Sequence, residues 1–374
     1  MTLSAAERTD LIRLARVDGV GPITFRRLLE VHGRAEIALA ALPARMRDAG
    51  RHVVPKIPTR CEIEDDIART LALGGRIIIK GERDYPAQLV HVPDAPPVLS
   101  IMGNASLLSH RAVGIVGARN ASAAGIRMAE VIATELAAEN ICVISGLARG
   151  IDAAAHQAAL YRGLTVAAIA GGLDQVYPPE HVDLQKEIAE KGCIVTEAPL
   201  GTIPQSRHFP RRNRLIAGMS LGCVIVEAAL RSGTLITARL AAQYGREVFA
   251  VPGSPLDPRS RGGNNLLREG AWVTESVADI LPHLPRVVPD PVDRELAGFA
   301  ESPETWRTPD GVSGSVVAKV RSLLSMTPMP VDDVARRCQF SVSAVLAALS
   351  ELELGGSATF LPGGCVVLLP EERR

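Results

Sequence analysis

The sequence carries no net charge: 41 lysines and arginines balance 41 aspartates and glutamates over 374 residues. A neutral chain is not drawn to polyanions by its global field, so any binding to nucleic acid must be local. No apolar run is long enough to span a bilayer, and the N-terminus, MTLSAAERTD, is polar and lacks the pattern of a secretory signal. The six cysteines (61, 142, 193, 223, 338 and 365) lie far apart, form no C-x-x-C pair, and three sit in apolar strand-like runs. That pattern predicts buried free thiols in a reducing compartment rather than disulfides or a zinc site, and the expected location is the cytoplasm. Two nucleotide motifs are missing as well. No G-K-[ST] follows any strand-like run, and Gly114 and Gly117 do not fit G-x-G-x-x-G. No cofactor and no metal are expected.

What is there centres on residues 113–120, VGIVGARN. An apolar run of strand type leads into Gly117-Ala118-Arg119-Asn120, and residues 122–138 follow with helical periodicity, Ser122 being placed to cap them. Strand, glycine turn and helix is a unit that presents free N–H groups and a favourable dipole to anions. Arg119 adds a planar donor fork. Residues 141–162 repeat the plan, with the turn Gly146-Leu147-Ala148-Arg149-Gly150 after a strand ending at Ser145.

Residues 7–48 read as all helical, and residues 19–22, G-V-G-P, join two amphipathic segments. That join resembles a helix-hairpin-helix, whose amides hold a DNA phosphate, or else it is an ordinary turn with Pro22 at the first helical position. From residue 75 the grammar changes to apolar strands without polar alternation, separated by helices. This predicts an α/β domain: an extended Rossmann-like parallel sheet covered on both faces, with its ligand beyond the carboxyl ends of the strands. The strand ends read GARN, SGLARG, AGGLD, EAPLGT, EAALRSGT and VPGS, one continuous binding edge. The predicted organisation is a helical domain over 1–74, the sheet domain over 75–285, a proline-rich linker over 286–312, and a winged helix of three helices and a β-hairpin over 313–374. The third helix of that winged fold carries Glu351 and Glu353 and no lysine or arginine. It is therefore read as a protein-contacting or stabilising helix rather than one that reads DNA.

Residues 206–214, SRHFPRRNR, hold four arginines, and no acid occurs from 198 to 226. Arginine beside a lone aromatic, Phe209, suits a single-stranded nucleic acid: charge for phosphates and a flat face for a base. The plainer reading is that Phe209 is core and the arginines pair with acids elsewhere. A nucleoside-monophosphate phosphoribohydrolase on the same scaffold is the rival function. Its signature resembles P-G-G-x-G-T-x-x-E, and this chain offers residues 231–237, RSGTLIT, with Thr237 at the glutamate position. Asp152 and His156, one helical turn apart, form a potential acid–base pair, but Asp152 as a helix cap and His156 as a structural residue is the preferred reading.

Taken together, GARN, SGLARGIDAAAH, AGGLDQVYPPEH, FPRRNRLIAGMS, EAALRSGTLITARLAAQYGREVFAVPGS and GGNNLLREGA resemble the DNA-processing protein family DprA, also called Smf. The resemblance is close over 75–285 and looser at both ends. It implies a protein that is not an enzyme, binds single-stranded DNA, forms a homodimer, protects incoming strands in natural transformation and loads the RecA recombinase onto them. Carried over by motif, the implied DNA-binding residues are Gly117, Ala118, Arg119 and Asn120; Ser145, Gly146, Arg149 and Gly150; Phe209, Arg211, Arg212, Asn213 and Arg214; and Ser232, Gly233 and Thr234. Two lysines found in some relatives are absent: Pro179 stands at one position, and Arg207 lies near the other.

Overall fold

The computed structural model describes residues 3–285 and 314–370, so the linker predicted over 286–312 lies outside the described residues. The chain forms two compact units, one made of residues 66–291 and the other of residues 1–65 with 292–374. It opens with helices α1 (Ala5–Ala15), α2 (Pro22–His32), α3 (Ala35–Asp48) and α4 (Arg60–Ala72). Ser4 starts α1 with a capping box to Glu7, whereas α2 starts at Gly21 with no cap from a neighbouring side chain.

The larger unit is a nine-stranded sheet. In chain order it contains β1 (Gly75–Ile79), α5 (Ala87–Val90), β2 (Val98–Gly103), β3 (Ala112–Val116), α6 (Ala123–Ala138), β4 (Cys142–Ser145), α7 (Ile151–Leu160) and β5 (Thr165–Ala168). Then come α8 (Val182–Lys191), β6 (Cys193–Thr196), α9 (His208–Met219), β7 (Gly222–Ile225), α10 (Thr234–Gln243), β8 (Glu247–Ala250), α11 (Arg261–Arg268) and β9 (Trp272–Val273). The strand order is β1-β2-β6-β5-β4-β3-β7-β8-β9. The seven strands from β6 to β9 are parallel, as expected. The first two depart from the expectation: β1 and β2 extend the β6 edge antiparallel.

Both faces of the sheet are covered. Val113 and Ile115 of β3 pack with Ile132 and Leu136 of α6 and Ala155 of α7, while Ala112 and Val116 pack with Leu215 and Ile216 of α9 and Ala238 of α10. Alternate residues of one strand thus feed two cores. The connections leave β3 in one direction and return to β7 on its other side, so the order reverses between β3 and β7. In an open α/β sheet that reversal opens a crevice at the carboxyl ends, here between the turns at 117–120 and 226–234.

The remaining elements are α12 (Gly314–Leu323), β10 (Met329–Pro330), α13 (Val331–Cys338), α14 (Val342–Leu354), β11 (Ala358–Leu361) and β12 (Cys365–Leu368). Three helices around a sheet of order β10-β12-β11 make the winged fold that the sequence predicts. It shares its compact unit with α1–α3. Leu354 of α14 is buried among Leu14, Phe25, Leu28 and Leu42. Among the described residues no helix is long and apolar enough to cross a membrane. Cys142, Cys193, Cys223 and Cys338 are buried, whereas Cys61 is exposed.

Gly150 holds the two central turns together. Its φ is +73°, and a Cβ there would strike the Ala118 carbonyl oxygen. Gly150→Ala is expected to destabilise the large unit by about 1–3 kcal/mol. Urea unfolding checks this, and an unchanged midpoint would contradict it.

Candidate nucleic-acid interface

The two glycine turns lie side by side because β3 and β4 are neighbours. The Ile151 N–H donates to the Ala118 carbonyl (3.3 Å) and the Ser145 hydroxyl to the Ile115 carbonyl (2.6 Å). The third turn joins them: the Thr234 hydroxyl donates to the Gly117 carbonyl (3.0 Å), and Thr234 N–H donates to Ser232 (3.2 Å). Asn213 reaches the same place, its Nδ2 donating to the Gly233 carbonyl at 3.4 Å.

Several of the turn and helix-start amides expected to receive phosphate are already engaged by the chain's own carboxylates. At α6, Ser122 caps Gly125 N–H as the sequence suggests, but the buried Glu227 then accepts from Ser122 N–H (3.0 Å) and from its hydroxyl (2.5 Å). At α7, Asp152 accepts from Gly146 N–H (3.1 Å) and Ala148 N–H (3.4 Å), and Gly117 N–H also steadies its charge. Asp152 therefore ties loop amides together rather than capping the helix from its N-cap position, which Gly150 holds. For the Gly117, Ser122, Gly146 and Ala148 amides, the reading of the turns as open phosphate nests does not hold.

The arginine block also differs from expectation. The block runs into α9, which starts at His208 with Pro210 in its first turn, where its missing N–H costs nothing. On a helix packed against the sheet, consecutive residues diverge in environment. Arg212, Asn213 and Arg214 are buried, whereas Arg211 is exposed and Phe209 half-buried. Arg214 donates to the Asp94 carbonyl (2.8 Å) and pairs with Glu197, so it braces the fold. Arg212 lies 3.8 Å from Asp152, packed over Gly146 so closely that a methyl group there would coincide with its guanidinium. Arg149 is exposed and pairs with Glu180, whose carboxyl it pulls down to about 2. The plainer reading of the block, arginines paired with acids, thus holds for Arg212 and Arg214, and Arg149 is paired as well. Among the described residues Arg119, Arg207, Arg211 and Arg231 form no ion pair and are exposed.

A small cleft opens over these turns, lined by Gly146, Ala148, Ile169, Gly171, Gln175, Tyr177, Pro204, Phe209 and Arg212. The Arg119 guanidinium carbon is 5.1 Å from the Phe209 ring centre and that of Arg212 is 6.0 Å away. Tyr177 stands beside the ring at 5.5 Å, tilted by 59°. Two guanidinium groups at cation–π range of one ring, with a second aromatic, make a surface for stacked bases and phosphates. Tyr177 escaped the sequence reading, although it is the one Phe, Tyr or Trp between residues 162 and 208. Asn120 and Gly233 are exposed on the flanking turns.

The family comparison meets this geometry at the same residues. The profile of the family described as DNA recombination-mediator protein A matches residues 76–285. The chain belongs to that family. Its outer parts match the DprA-like N-terminal HHH domain over 5–68 and the DprA winged helix domain over 312–364. Protein Smf of Synechocystis is 30% identical over 398 aligned residues, covering 96% of this chain and 98% of its own. Protein Smf of Escherichia coli is 38% identical over 290 residues, 76% of this chain and 75% of its own. The X-ray structure of DNA processing protein A from Streptococcus pneumoniae superposes with a TM-score of 0.63 at 32% identity, covering 77% of this chain and all of that one. The structure of DNA processing protein A from Helicobacter pylori, which concerns its single-stranded DNA binding mode, superposes with a TM-score of 0.50 at 28% identity over 56% of this chain and 94% of its own. In DprA terms the arginine–aromatic cleft lies within the recombination-mediator domain.

The residues weighed for hydrolysis have other partners. His156 is fully buried; the Thr165 hydroxyl donates to the Val143 carbonyl (3.0 Å) and so accepts from His156 Nδ1 (2.7 Å). Burial, then the charges of Arg212 and His181, pull the His156 pKa down to about 3. The folded state keeps this imidazole neutral while the unfolded chain protonates near 6.5. Its stabilising contribution is therefore complete above pH 6.5 and is lost as pH falls from there toward 3. From pH 7.5 to pH 5 the loss amounts to about 2 kcal/mol. Urea unfolding of wild type and His156→Gln at both pH values should show a wild-type pH dependence steeper by that amount; equal slopes would contradict the assignment.

Proposed function

We propose that this chain binds single-stranded DNA across the carboxyl edge of its sheet and hands it to recombination. The observation that carries the reading is the cleft-mouth set: exposed, unpaired Arg119 over half-buried Phe209, with Tyr177 beside the ring. A base stacks on Phe209 or Tyr177, Arg119 and Arg211 take the flanking phosphates, and Arg212 waits in the cleft floor. Gly117, Ser145, Gly146, Asn213, Ser232 and Thr234 shape the surface, and Arg214 braces it from beneath. Family membership and the single-strand binding of the Helicobacter pylori relative support this division of labour. The fuller role extends the same reading: a homodimer that protects strands during natural transformation and loads RecA onto them, in the cytoplasm and without turnover of its own. With Asp152 engaged by amides and Arg212, and Thr237 buried at the hydrolase glutamate position, nothing in the cleft favours nucleotide hydrolysis.

Fluorescence anisotropy with a labelled oligothymidine tests the assignment. Contact with about four phosphates gives a slope of log affinity against log salt near −2.8, at about −0.7 per phosphate. Arg119→Ala should cost roughly tenfold in affinity and flatten that slope by about 0.7 while leaving the thermal midpoint unchanged. Arg214→Ala should instead lower the midpoint, since it removes the guanidinium that faces buried Asp94 and half-buried Glu197. Binding indifferent to Arg119, or a slope near zero, would overturn the reading.

A further inference from the structure

The cleft floor holds a guanidinium whose donors the chain itself leaves unmet. Arg212 is only 5% exposed. Its buried Nε–H has no hydrogen-bond partner among the described residues. Asp152 faces it, but the approach of Nη1 to Oδ2 is 3.8 Å, beyond hydrogen-bond range. That same Oδ2 already accepts from the Gly146 and Ala148 amides. Gln175, also on the lining, donates to Asp174 (3.2 Å). A buried arginine carries five donors in a fixed fork, and leaving them unsatisfied is costly. A ligand that brings acceptors into the cleft relieves that cost.

A single strand offers two kinds of acceptor, the phosphate and the base edge. The floor favours the base. Asp152 balances the charge of Arg212, so the floor has donors to give and little net charge to attract an anion. The walls are apolar and aromatic, with Ala148, Ile169 and Pro204 beside the Phe209 and Tyr177 rings. Such walls suit a flat, neutral ring better than a hydrated phosphate. Arginine forks pair with base carbonyls, as with O6 and N7 of guanine. Thymine, cytosine and guanine each carry a carbonyl oxygen, whereas adenine has none and shows an amino donor instead. We propose that the cleft takes one unstacked base of the strand and that Arg212 reads its carbonyl oxygen, so that adenine is disfavoured there. The inference rests on the single-strand reading and adds to it a base preference at one position, while Arg119 and Arg211 hold the backbone.

Anisotropy with labelled oligonucleotides of seven sugars tests this, every position abasic except the central one. That position carries hypoxanthine, adenine, thymine or no base. Hypoxanthine and adenine share a ring frame and differ at C6, a carbonyl against an amino group. Hypoxanthine and thymine are expected to bind roughly tenfold more tightly than adenine. Arg212→Met with Asp152→Asn removes both members of the charge pair. It should level the three bases and leave all of them above the oligonucleotide with no base, since stacking on Phe209 remains. Equal affinity for hypoxanthine and adenine in the wild type overturns the proposal, and that comparison needs no variant to fold. Affinity that ignores the base, rises with a 5′-phosphate and loses that rise in the double variant assigns Arg212 to phosphate and overturns it too. Absence of salt-sensitive binding to any of the four oligonucleotides instead overturns the single-strand reading, and this one with it.

Discussion

The carboxyl edge of the sheet depends on one buried carboxylate. Asp152 gathers the Gly146 and Ala148 amides, steadied also by Gly117, and faces the Arg212 guanidinium. Burial pushes its carboxyl up, and Arg212 opposes that shift. Removing one partner of such a pair leaves the other charged and dry, a cost of about 3–5 kcal/mol. The two turns keep their shape because this charge holds their donors, and Arg212 remains in the cleft floor because Gly146 has no side chain to displace it.

This arrangement sorts the arginines by depth. Arg212 and Arg214, the buried members of the block, are matched to Asp152 and to Glu197 with Asp94, and so contribute to the fold. Arg119, Arg207 and Arg211 are exposed and form no ion pair among the described residues, so their charge is available to a ligand. A neutral chain can therefore present a locally cationic edge, because Arg207 and Arg211 lie in a stretch, 198–226, that holds no acidic residue. The same economy of carboxylates on N–H groups recurs at Glu227 on α6 and at Glu353 on the α2 hairpin.

Much of this was legible in the residue order. Apolar runs without alternation marked the parallel strands, and each glycine turn marked where one ended, so the edge and the place of Arg119 and Phe209 followed directly. The winged fold was readable as three helices and a β-hairpin, with Pro362-Gly363-Gly364 at the hairpin's turn. The antiparallel β1 and β2 were not, because strand direction depends on pairing partners far along the chain. Nor was the burial of Arg212 and Arg214. Charge predicts exposure, and only the distant partners Asp152, Asp94 and Glu197 reverse that expectation. The filled amide nests were hidden for the same reason, since Glu227 lies 105 residues from Ser122. Glu351 and Glu353 stood out as the acids of α14, but their partners on α2 and α3 lie some three hundred residues away.

The measurement that bears most directly on the central claim is photo-crosslinking of an iodouracil-substituted oligonucleotide, with the attachment sites mapped by mass spectrometry. An aromatic cleft at the sheet edge predicts crosslinks on Phe209 or Tyr177, lost in Arg119→Ala under conditions where the protein stays folded. Crosslinks confined to other aromatic residues, such as Trp272 or Phe340, would place the strand elsewhere and contradict the account.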